Sequence, residues 1–304
     1  MRRYVAIAVP LLVAALLAGH RLVPDSPGNL GSLLEAFLPW LGLAVPVLFE
    51  LAVWRRSVPA MIAALVPAVA WAAVFGAQAL PAGDGPADLV VVQHNVSDEN
   101  ADPAGTARAL ASARPDLIGL EEVTPEALPS YDGALAGGYP FHAVYGTVGL
   151  WSRYHIIESG PIDIKPSGLE ADWRRGLRAV VAAPGGEVVV FVAHLPSVRP
   201  GLRGFNTSRR DDSARKLGAF VAAEPARRVV VIGDLNATVD DRGLRPLTSR
   251  LTWSRSGFAW SFPARAPVAR IDQIMARGAT VAGVRTLPKT GSDHLPITAR
   301  IAFA

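Results

Sequence analysis

Three long apolar segments in the first 80 residues constrain the fold of this chain more than any other feature. They cover residues 4–19, 33–53 and 58–80. A helix needs about 20 residues to cross the hydrocarbon of a bilayer. The second and third segments are long enough to cross the bilayer, and the first is long enough if it continues to about Val23. Glu35 and Glu50 lie near the ends of the second segment, where they can reach the interface. The sequence therefore predicts three transmembrane helices.

Positive charges predict the orientation of these helices. Arginine pairs at residues 2–3 and 55–56 precede the first segment and separate the second from the third, whereas the first loop carries Arg21. Because cytoplasmic loops are enriched in Lys and Arg, the N-terminus and second loop are predicted to be cytoplasmic, and everything after residue 80 lies outside. The alternative for the first segment is a cleaved signal peptide, but the two further spans favour its retention. We expect a multi-pass protein of the cell membrane.

The chain divides into a membrane anchor (residues 1–80), a short linker rich in Pro, Gly and Asp (81–87) and an outer domain (88–304). The part after residue 80 carries 25 basic and 23 acidic residues, a balance that argues against a surface that coats DNA. The chain has no cysteine, so the outer domain must be held together by its core and not by disulfides.

The outer domain is rich in strands, with helices at intervals. Continuous β-branched runs predict buried strands over residues 88–96, 116–123 and 228–233. Helices are predicted from Asp102-Pro103 to about residue 113, from Thr124-Pro125, and over residues 208–222. Further strands are predicted over residues 141–144, 148–152, 154–164, 177–183, 187–195, 269–275, 280–285 and 296–302. This pattern indicates two packed sheets flanked by helices.

Acidic and amide side chains recur at the ends of the predicted strands, namely at Asn95, Glu122, Asp234, Asn236 and Asp293, the last beside His294. Asp272 lies within an apolar run, where a carboxylate is costly unless it is paired, hydrogen-bonded or bound to a metal. Oxygen ligands suit Mg²⁺ or Mn²⁺, whereas six scattered His and no Cys argue against a zinc site. Each motif alone has a simpler interpretation, a turn at residues 233–236 or a solvated pair at Glu121-Glu122.

The order of the motifs resembles the endonuclease/exonuclease/phosphatase superfamily. From about residue 88 to 304 the series is Gln93-His-Asn95-Val, Asp116-Leu-Ile-Gly-Leu-Glu-Glu122-Val, Leu150-Trp-Ser-Arg153-Tyr, Ala193-His194-Leu, Gly233-Asp234-Leu-Asn236, Ile271-Asp272-Gln-Ile and Ser292-Asp293-His294. The resemblance implies an α/β fold, a four-layer α/β/β/α sandwich, and Mg²⁺-dependent cleavage of phosphate esters. Carried over residue by residue, it implies Glu122 as the main metal ligand, Asn95 and Asp293 near the same ion, Asp234 and Asn236 facing the phosphate, and Asp272 paired with His294.

Elementary chemistry is consistent with those roles. An imidazole braced by a carboxylate can take a proton from the attacking water, so His294 with Asp272 is the predicted base and Asp234 is the rival base. His194, if protonated, and Asn236 can donate hydrogen bonds to phosphate oxygens. The alternative for His194 is a histidine packed in the core.

Two features depart from the family pattern. Glu121 stands where many relatives have Gln, so a bound ion meets an extra charge or Glu121 points away. The helix over residues 208–215 lacks the Gln often found there.

Location predicts the substrate class, because a domain held close to a membrane meets lipid headgroups more often than nucleic acid. Two loops, residues 172–175 and 199–205, mix Arg with a large apolar residue, which suits an anionic lipid surface. Alternatively, Trp173 and Phe205 are packed and the arginines are solvated.

We therefore expect hydrolysis of a phosphate ester or pyrophosphate of a membrane lipid on the outer face, either a phospholipid or a polyprenyl carrier. The plan of three spans and an outer domain also resembles, more weakly, the teicoplanin-resistance membrane proteins of actinomycetes, which favours the polyprenyl carrier. The alternatives are a membrane-tethered nuclease and a non-catalytic envelope protein that retains the fold.

Overall fold

The computed structural model describes residues 2–81, 83, 85–170, 172–201 and 204–304. Ala82 and Asp84 of the predicted linker, and Leu202 and Arg203 of the second predicted lipid-facing loop, lie outside these residues. The helices are α1 (Arg2–Gly19), α2 (Leu30–Ala36), α3 (Ala44–Trp54), α4 (Val58–Ala79), α5 (Pro103–Ser112), α6 (Leu128–Leu135), α7 (Ser208–Ala223) and α8 (Arg245–Thr248). Turns of 3₁₀ helix cover His20–Leu22, Leu38–Leu43 and Arg242–Leu244.

The strands are β1 (Leu89–Asn95), β2 (Leu117–Glu121), β3 (Phe141–Tyr145), β4 (Val148–Ser152), β5 (Ile156–Pro161), β6 (Gly176–Ala183), β7 (Gly186–Ala193), β8 (Arg199–Gly201), β9 (Gly204–Asn206), β10 (Val229–Asp234), β11 (Thr252–Trp253), β12 (Asp272–Arg277), β13 (Ala279–Thr286) and β14 (Ile297–Phe303).

Within the described residues, two helices are long and apolar enough to cross a membrane, Tyr4–Leu22 and Val58–Ala79. A third candidate is a pair, Leu30–Ala36 and Leu38–Trp54, that is bent by 69°. The predicted helix over residues 33–53 is therefore broken rather than continuous. Pro39 lies at the start of the second member of the pair, and a proline there disfavours helical geometry in the residue before it.

Contact with the outer domain explains why the chain turns at this point. The Glu35 side chain is buried, and its carboxylate accepts hydrogen bonds from Nε of Arg242 at 2.9 Å and from the Arg242 backbone N–H at 2.8 Å. The expected position of Glu35 at a membrane interface is thus corrected, because a buried carboxylate needs a partner and Arg242 supplies it. Helix α2 consequently lies against the outer domain.

Two six-stranded sheets form the outer domain. The strand order is β13-β14-β1-β2-β4-β3 in the first and β11-β12-β10-β7-β6-β5 in the second, and β8 and β9 form a separate hairpin. Strands β1 and β2 are parallel, as are β7 and β10, and the other neighbours are antiparallel.

The sheets pack face to face, with helices on both outer faces. Val91 and Leu117 of the first sheet share a buried core with Val190 and Ile232 of the second. Gly119 allows close approach of the sheets, since a β-carbon there would lie 2.3 Å from Cδ1 of Ile232. Apolar residues of α5 and α6 cover the other face of the first sheet, and those of α7 and α8 cover the second. The predicted four-layer α/β/β/α sandwich is confirmed.

Local sequence accounts for the way these elements begin. Asp102 caps α5, because its side chain accepts a hydrogen bond from the backbone N–H of Gly105 at 2.8 Å and Pro103 occupies the first helical turn. Strand β10 is a run of β-branched residues buried along its whole length, as expected between two covered faces. Its last residue, Asp234, is the first polar side chain after that run.

Candidate active site

Polar side chains from both sheets meet at one edge of the sandwich. Asn95 ends β1 opposite Glu121 at the end of the parallel strand β2. In the second sheet, Asp234 ends β10 opposite Asp272, the first residue of the antiparallel strand β12. His194 follows β7, which is parallel to β10, and His294 precedes β14, which is antiparallel to β1. Strand direction therefore brings residues from six separate motifs to the same edge.

His294 and Asp272 form the closest histidine–carboxylate pair in the site. Nδ1 of His294 lies 2.8 Å from Oδ2 of Asp272, and both side chains are buried. Burial alone would lower the pKa of His294, but attraction to Asp272 and Asp234 outweighs it and raises that pKa to about 10. Burial likewise favours the neutral form of Asp272, yet the imidazole outweighs it and lowers the pKa of this carboxyl. The pair is therefore an imidazolium–carboxylate ion pair whose Nε2 is directed into the site.

Asp234 occupies the centre of the site. Its Oδ2 accepts a hydrogen bond from Nδ2 of Asn95 at 3.1 Å and lies 3.7 Å from Nε2 of both His194 and His294. Its Oδ1 accepts a hydrogen bond from the backbone N–H of Asn236 at 2.9 Å. Burial raises the pKa of Asp234 to about 7 against the attraction of His294. This carboxylate is thus held in position on several sides.

Glu121 resolves the first departure from the family pattern. It is fully buried, and Nε2 of Gln93 donates to its Oε2 at 2.7 Å and to Oδ1 of Asp272 at 2.9 Å. Burial and the nearby Asp272 raise the pKa of Glu121 well above its usual range. A protonated carboxyl has the size and the mixed donor–acceptor character of the Gln found in relatives, so it brings no extra charge to the site.

Glu122 lies next along the chain, beyond the end of β2. It has a positive φ of 61°, its side chain is partly exposed, and Oε1 lies 3.8 Å from Nε2 of His194. A non-glycine residue in this region of φ and ψ is uncommon and marks a constrained position. The turn directs the Glu122 side chain to the open edge of the sheets while Glu121 points inward.

The sequence left the charge of His194 open, and its surroundings favour the neutral form. Burial, reinforced by Arg175, lowers its pKa well below the usual range. Nη1 of Arg175 lies 3.0 Å from Nδ1 and 3.3 Å from Nε2 of His194. Since Arg can only donate, and since Nε2 also lies 3.7 Å from Oδ2 of Asp234 and 3.8 Å from Oε1 of Glu122, these contacts favour Nδ1 as the acceptor and a proton on Nε2. Nε2–H is then directed to Asp234 and Glu122, so a neutral His194 still donates into the site.

Arg175 is a site residue that the sequence interpretation placed elsewhere, in a lipid-facing loop. The structure places it beside His194 and near the carboxylates of Glu122 and Asp234, while Trp173 packs against the core of the second sheet. The alternative of a packed Trp173 is therefore the correct one. The hairpin turn at Pro184-Gly185 is the signal that could have located Arg175, because the resulting register puts Gly176 opposite Ala193 and Arg175 beside His194.

The remaining predicted residues lie at the same edge but differ in exposure. Asn236 has a positive φ of 48° and uses one amide N–H on the carbonyl of Leu195 at 2.8 Å. Asp293 is exposed, and its backbone carbonyl accepts a hydrogen bond from Ala264 at 2.6 Å. Ser292 joins this turn to β1, because its hydroxyl donates to the carbonyl of Asn95 at 2.7 Å and accepts from the N–H of His294 at 3.0 Å.

The donor chemistry of the site fits a divalent cation. Among the described residues, Asp234, Asp272 and His294 bring potential ligand atoms within 4.8 Å of one another. Glu122, Asp234, Asp272 and Asp293 contribute four carboxylates, whereas Arg175 and the protonated His294 contribute two cationic groups. A hard divalent ion with oxygen ligands would offset this negative surplus.

Comparison with known proteins places this geometry in context. The profile described as the Endonuclease/Exonuclease/phosphatase family matches residues 92–294. No curated protein sequence matches the chain. Among solved structures, sphingomyelinase C from Streptomyces griseocarneus is similar, with 21% identity, a TM-score of 0.55, and coverage of 71% of this chain and 99% of that one.

Two further structures are similar in fold. Beta toxin from Staphylococcus aureus with bound magnesium ions has 17% identity and a TM-score of 0.53, covering 70% of this chain and 99% of that one. TDP2 from D. rerio complexed with a single-strand DNA product has 20% identity and a TM-score of 0.56, covering 70% of this chain and 98% of that one. At these identities the likeness concerns the fold alone.

Proposed function

The chain belongs to the endonuclease/exonuclease/phosphatase family, as a hydrolase of phosphate ester bonds, and we propose that its substrate is a phosphate ester or pyrophosphate of a membrane lipid. One observation carries this proposal. The apolar N-terminal helices pack directly on the loop that contacts the catalytic histidine, so the site is held close to the segments that would lie in the bilayer.

Contacts between anchor and domain fix that position. Nε1 of Trp40 donates to the carbonyl of Val268 at 2.7 Å, and the Trp40 ring stacks on Trp260 with ring centroids 4.6 Å apart. Together with the Glu35–Arg242 ion pair, these contacts join the membrane anchor to the outer domain at positions other than the linker. A site held at a fixed short distance from a bilayer meets lipid headgroups at high effective concentration.

The distribution of positive charge favours the outer face of the cell membrane. The arginine pair at residues 55–56 lies in the turn between α3 and α4, and the whole of α4 separates it from the outer domain along the chain. Under the positive-inside rule this turn is cytoplasmic, and the domain that follows α4 is outside. The similarity in fold to sphingomyelinase C supports a lipid substrate, since the name of that enzyme refers to a lipid.

Glu122, Asn95 and Asp293 are the residues we propose as ligands of Mg²⁺, with Mn²⁺ as a substitute. The ion supplies charge stabilisation for the phosphate oxygens and the leaving oxygen. Beta toxin, which shares the fold, holds magnesium, and this supports the choice of ion. His194 and Asn236 each have an N–H group left to donate to the phosphate.

His294 is the residue that we propose as the base. Asp272 accepts from Nδ1, which leaves Nε2 directed at the space beside Asp234 where a water molecule can be activated. The surrounding carboxylates hold the pKa of His294 at about 10, so in the absence of a cation the ring is protonated at neutral pH. A divalent cation held by Glu122 would oppose the attraction of those carboxylates and favour the neutral form of His294. Asp234, with a pKa of about 7, is the rival base.

A substrate panel tests the proposed function. The full-length protein in detergent is given phospholipids, a polyprenyl phosphate, a polyprenyl pyrophosphate, plasmid and oligonucleotide, each with Mg²⁺ or EDTA, and release of phosphate, headgroup or nucleotide is measured. We expect hydrolysis of a lipid that requires Mg²⁺ and is lost in His294→Ala. Cleavage of nucleic acid with every lipid untouched would establish a tethered nuclease instead. No turnover of any substrate would favour a non-catalytic envelope protein.

A further inference from the structure

An apolar cavity of about 360 Å³ lies where the membrane helices meet the outer domain. Its walls come from three separate parts of the chain, the 3₁₀ turn and α3, helix α4, and the loop before β12. The lining includes Trp40, Leu43, Ala68, Trp71, Phe258 and Trp260. The volume equals that of roughly a dozen water molecules.

The indole N–H groups of two tryptophans are already used outside the cavity. Trp40 donates to the carbonyl of Val268 at 2.7 Å, and Trp71 donates to the carbonyl of Pro39 at 2.8 Å. The rings therefore offer apolar surface to the cavity. Gly42 makes the close approach of Trp71 feasible, since a β-carbon at that position would lie 2.5 Å from Nε1 of Trp71.

Ring packing keeps this wall in place. Trp40 stacks on Trp260 at 4.6 Å between centroids, and Phe258 lies 5.0 Å from Trp260 and 6.3 Å from Trp71. Four rings from three distant parts of the chain thus support one another around the cavity. The cavity is a formed feature of the contact between anchor and domain, and not a gap between loosely placed side chains.

The cavity is joined to the site by three consecutive residues. Trp260 lines the cavity, Ser261 lies next to it with Oγ 3.5 Å from the N–H of Asp272, and the Phe262 ring packs 4.8 Å from the ring of His294. At about 3.3 Å per residue, this segment spans roughly 10 Å. A phosphate at the site and a hydrocarbon chain in the cavity are therefore within the reach of a single lipid molecule.

We propose that this cavity binds a hydrocarbon chain of the same lipid whose phosphate is hydrolysed, a proposal that rests on the proposed function. Two of its walls belong to α3 and α4, which in a bilayer stand beside lipid chains. A ligand with polar groups finds few partners among apolar and aromatic walls, whereas burial of each methylene group improves binding about fourfold. The cavity then selects lipids by the chain next to the phosphate, while the site supplies the chemistry.

A matched pair of variants separates this idea from general contact with lipid. Ala68→Leu places three more carbon atoms in the cavity and narrows it, and Ala72→Leu makes the same change at an exposed position of the same helix. Leu43→Ala widens the cavity and serves as a second cavity variant. The full-length proteins are placed in vesicles of phosphatidylglycerol whose acyl chains carry bromine, which quenches tryptophan fluorescence on contact, and in matched vesicles without bromine.

We expect strong quenching in the wild type, in Ala72→Leu and in Leu43→Ala, and at least a threefold weaker bromine-dependent quenching in Ala68→Leu. Equal quenching in all four proteins would overturn the proposal. This readout does not depend on catalysis, so it can fail while a lipid phosphate is still hydrolysed, and hydrolysis can fail while it succeeds.

Kinetics complete the test with the lipid that the substrate panel identifies, in long-chain and short-chain forms with the same headgroup. Ala68→Leu should raise KM at least tenfold for the long-chain form and leave KM for the short-chain form within twofold. If both forms respond alike, or neither responds, the cavity does not hold the chain of the substrate and the proposal is wrong.

Discussion

The pairing of His294 with Asp272 leads to a prediction whose size follows from the structure. The change is Asp272→Asn, which removes the charge and retains the shape. A pKa raised from 6.5 to about 10 corresponds, at about 1.4 kcal/mol per pH unit, to about 5 kcal/mol in favour of the protonated ring. Asp272 gives both the largest attraction and a hydrogen bond, while Asp234 and Asp293 contribute the rest. We therefore expect the pKa of His294 to fall by about 2 pH units or more.

The assay is an NMR titration of the histidine-labelled protein without divalent cations. The chain has six histidines, and the resonance of His294 is identified by its loss in His294→Gln. Asp293→Asn is the matched control, because this carboxylate makes the smallest of the attractive contributions. A titration midpoint that stays within half a pH unit of the wild type in Asp272→Asn, or that moves as far in Asp293→Asn, would refute the reasoning.

The same change has consequences for stability and turnover. The folded-state pKa of His294 lies above its unfolded value, so the pair stabilises the fold fully below pH 6.5 as long as Asp272 remains ionised, and this contribution is lost as the pH rises to about 10. Thermal unfolding of Asp272→Asn should therefore show its largest deficit near pH 6 and a smaller one near pH 10.5. Turnover should fall by roughly 10²–10⁴-fold, as for loss of an oriented base.

Four further predictions concern separate parts of the molecule. Glu121→Gln should keep turnover within about threefold, because an amide replaces a buried neutral acid. Glu121→Ala should lower turnover more than tenfold, because it leaves a space at this position. A large loss of turnover in Glu121→Gln would show that the carboxylate is charged. Arg175→Met should raise the pKa of His194 in an NMR titration and raise KM about tenfold, whereas Arg175→Lys should change that pKa less. Glu35→Gln should remove the buried negative charge beside Arg242 and leave the guanidinium with Asp25 and the carbonyls of His20 and Val23. We expect a cost of about 1–3 kcal/mol for the lost charged hydrogen bonds, and increased hydrogen exchange in α2 but not in β1; equal exchange in α2 would contradict the proposed contact. Mg²⁺ at 100 times its Kd should stabilise the wild type by about 2.7 kcal/mol in thermal unfolding, with little effect on Glu122→Gln and a full effect on Glu126→Gln, an exposed control.

Strand-end residues were the most predictable part of the site. Asn95, Asp234 and His194 each follow an apolar run that can only be a buried strand, and parallel neighbours end at the same edge of a sheet. Local pattern is sufficient for such positions, because the strand fixes the direction of the side chain that follows it. The four-layer sandwich could be anticipated for the same reason.

Residues that depend on register or on distant contacts could not be located from the pattern. Arg175 enters the site because the β6–β7 hairpin pairs in one register, and a shift by one residue would turn its side chain away. The local sequence around Glu35 is typical of the end of a membrane span. Its contact with Arg242, which is 207 residues away in the chain, is seen only in the structure. The apolar cavity requires Trp40, Trp71 and Trp260 to converge, and no local rule brings them together.

The last strand of the domain lies in the interior of its sheet, between β13 and β1. Thr298 of β14 donates to the carbonyl of Val91 in β1 across 207 residues of chain, and Ser292 joins His294 to the end of β1. During synthesis, β1 consequently keeps an unpaired edge until the final segment arrives, and His294 has no fixed position before that moment. Long-range pairing of this kind is slow and exposes strand edges to aggregation. We expect the growing chain to be inert towards the lipids around it, and to depend on chaperones on the side of the membrane where the domain folds.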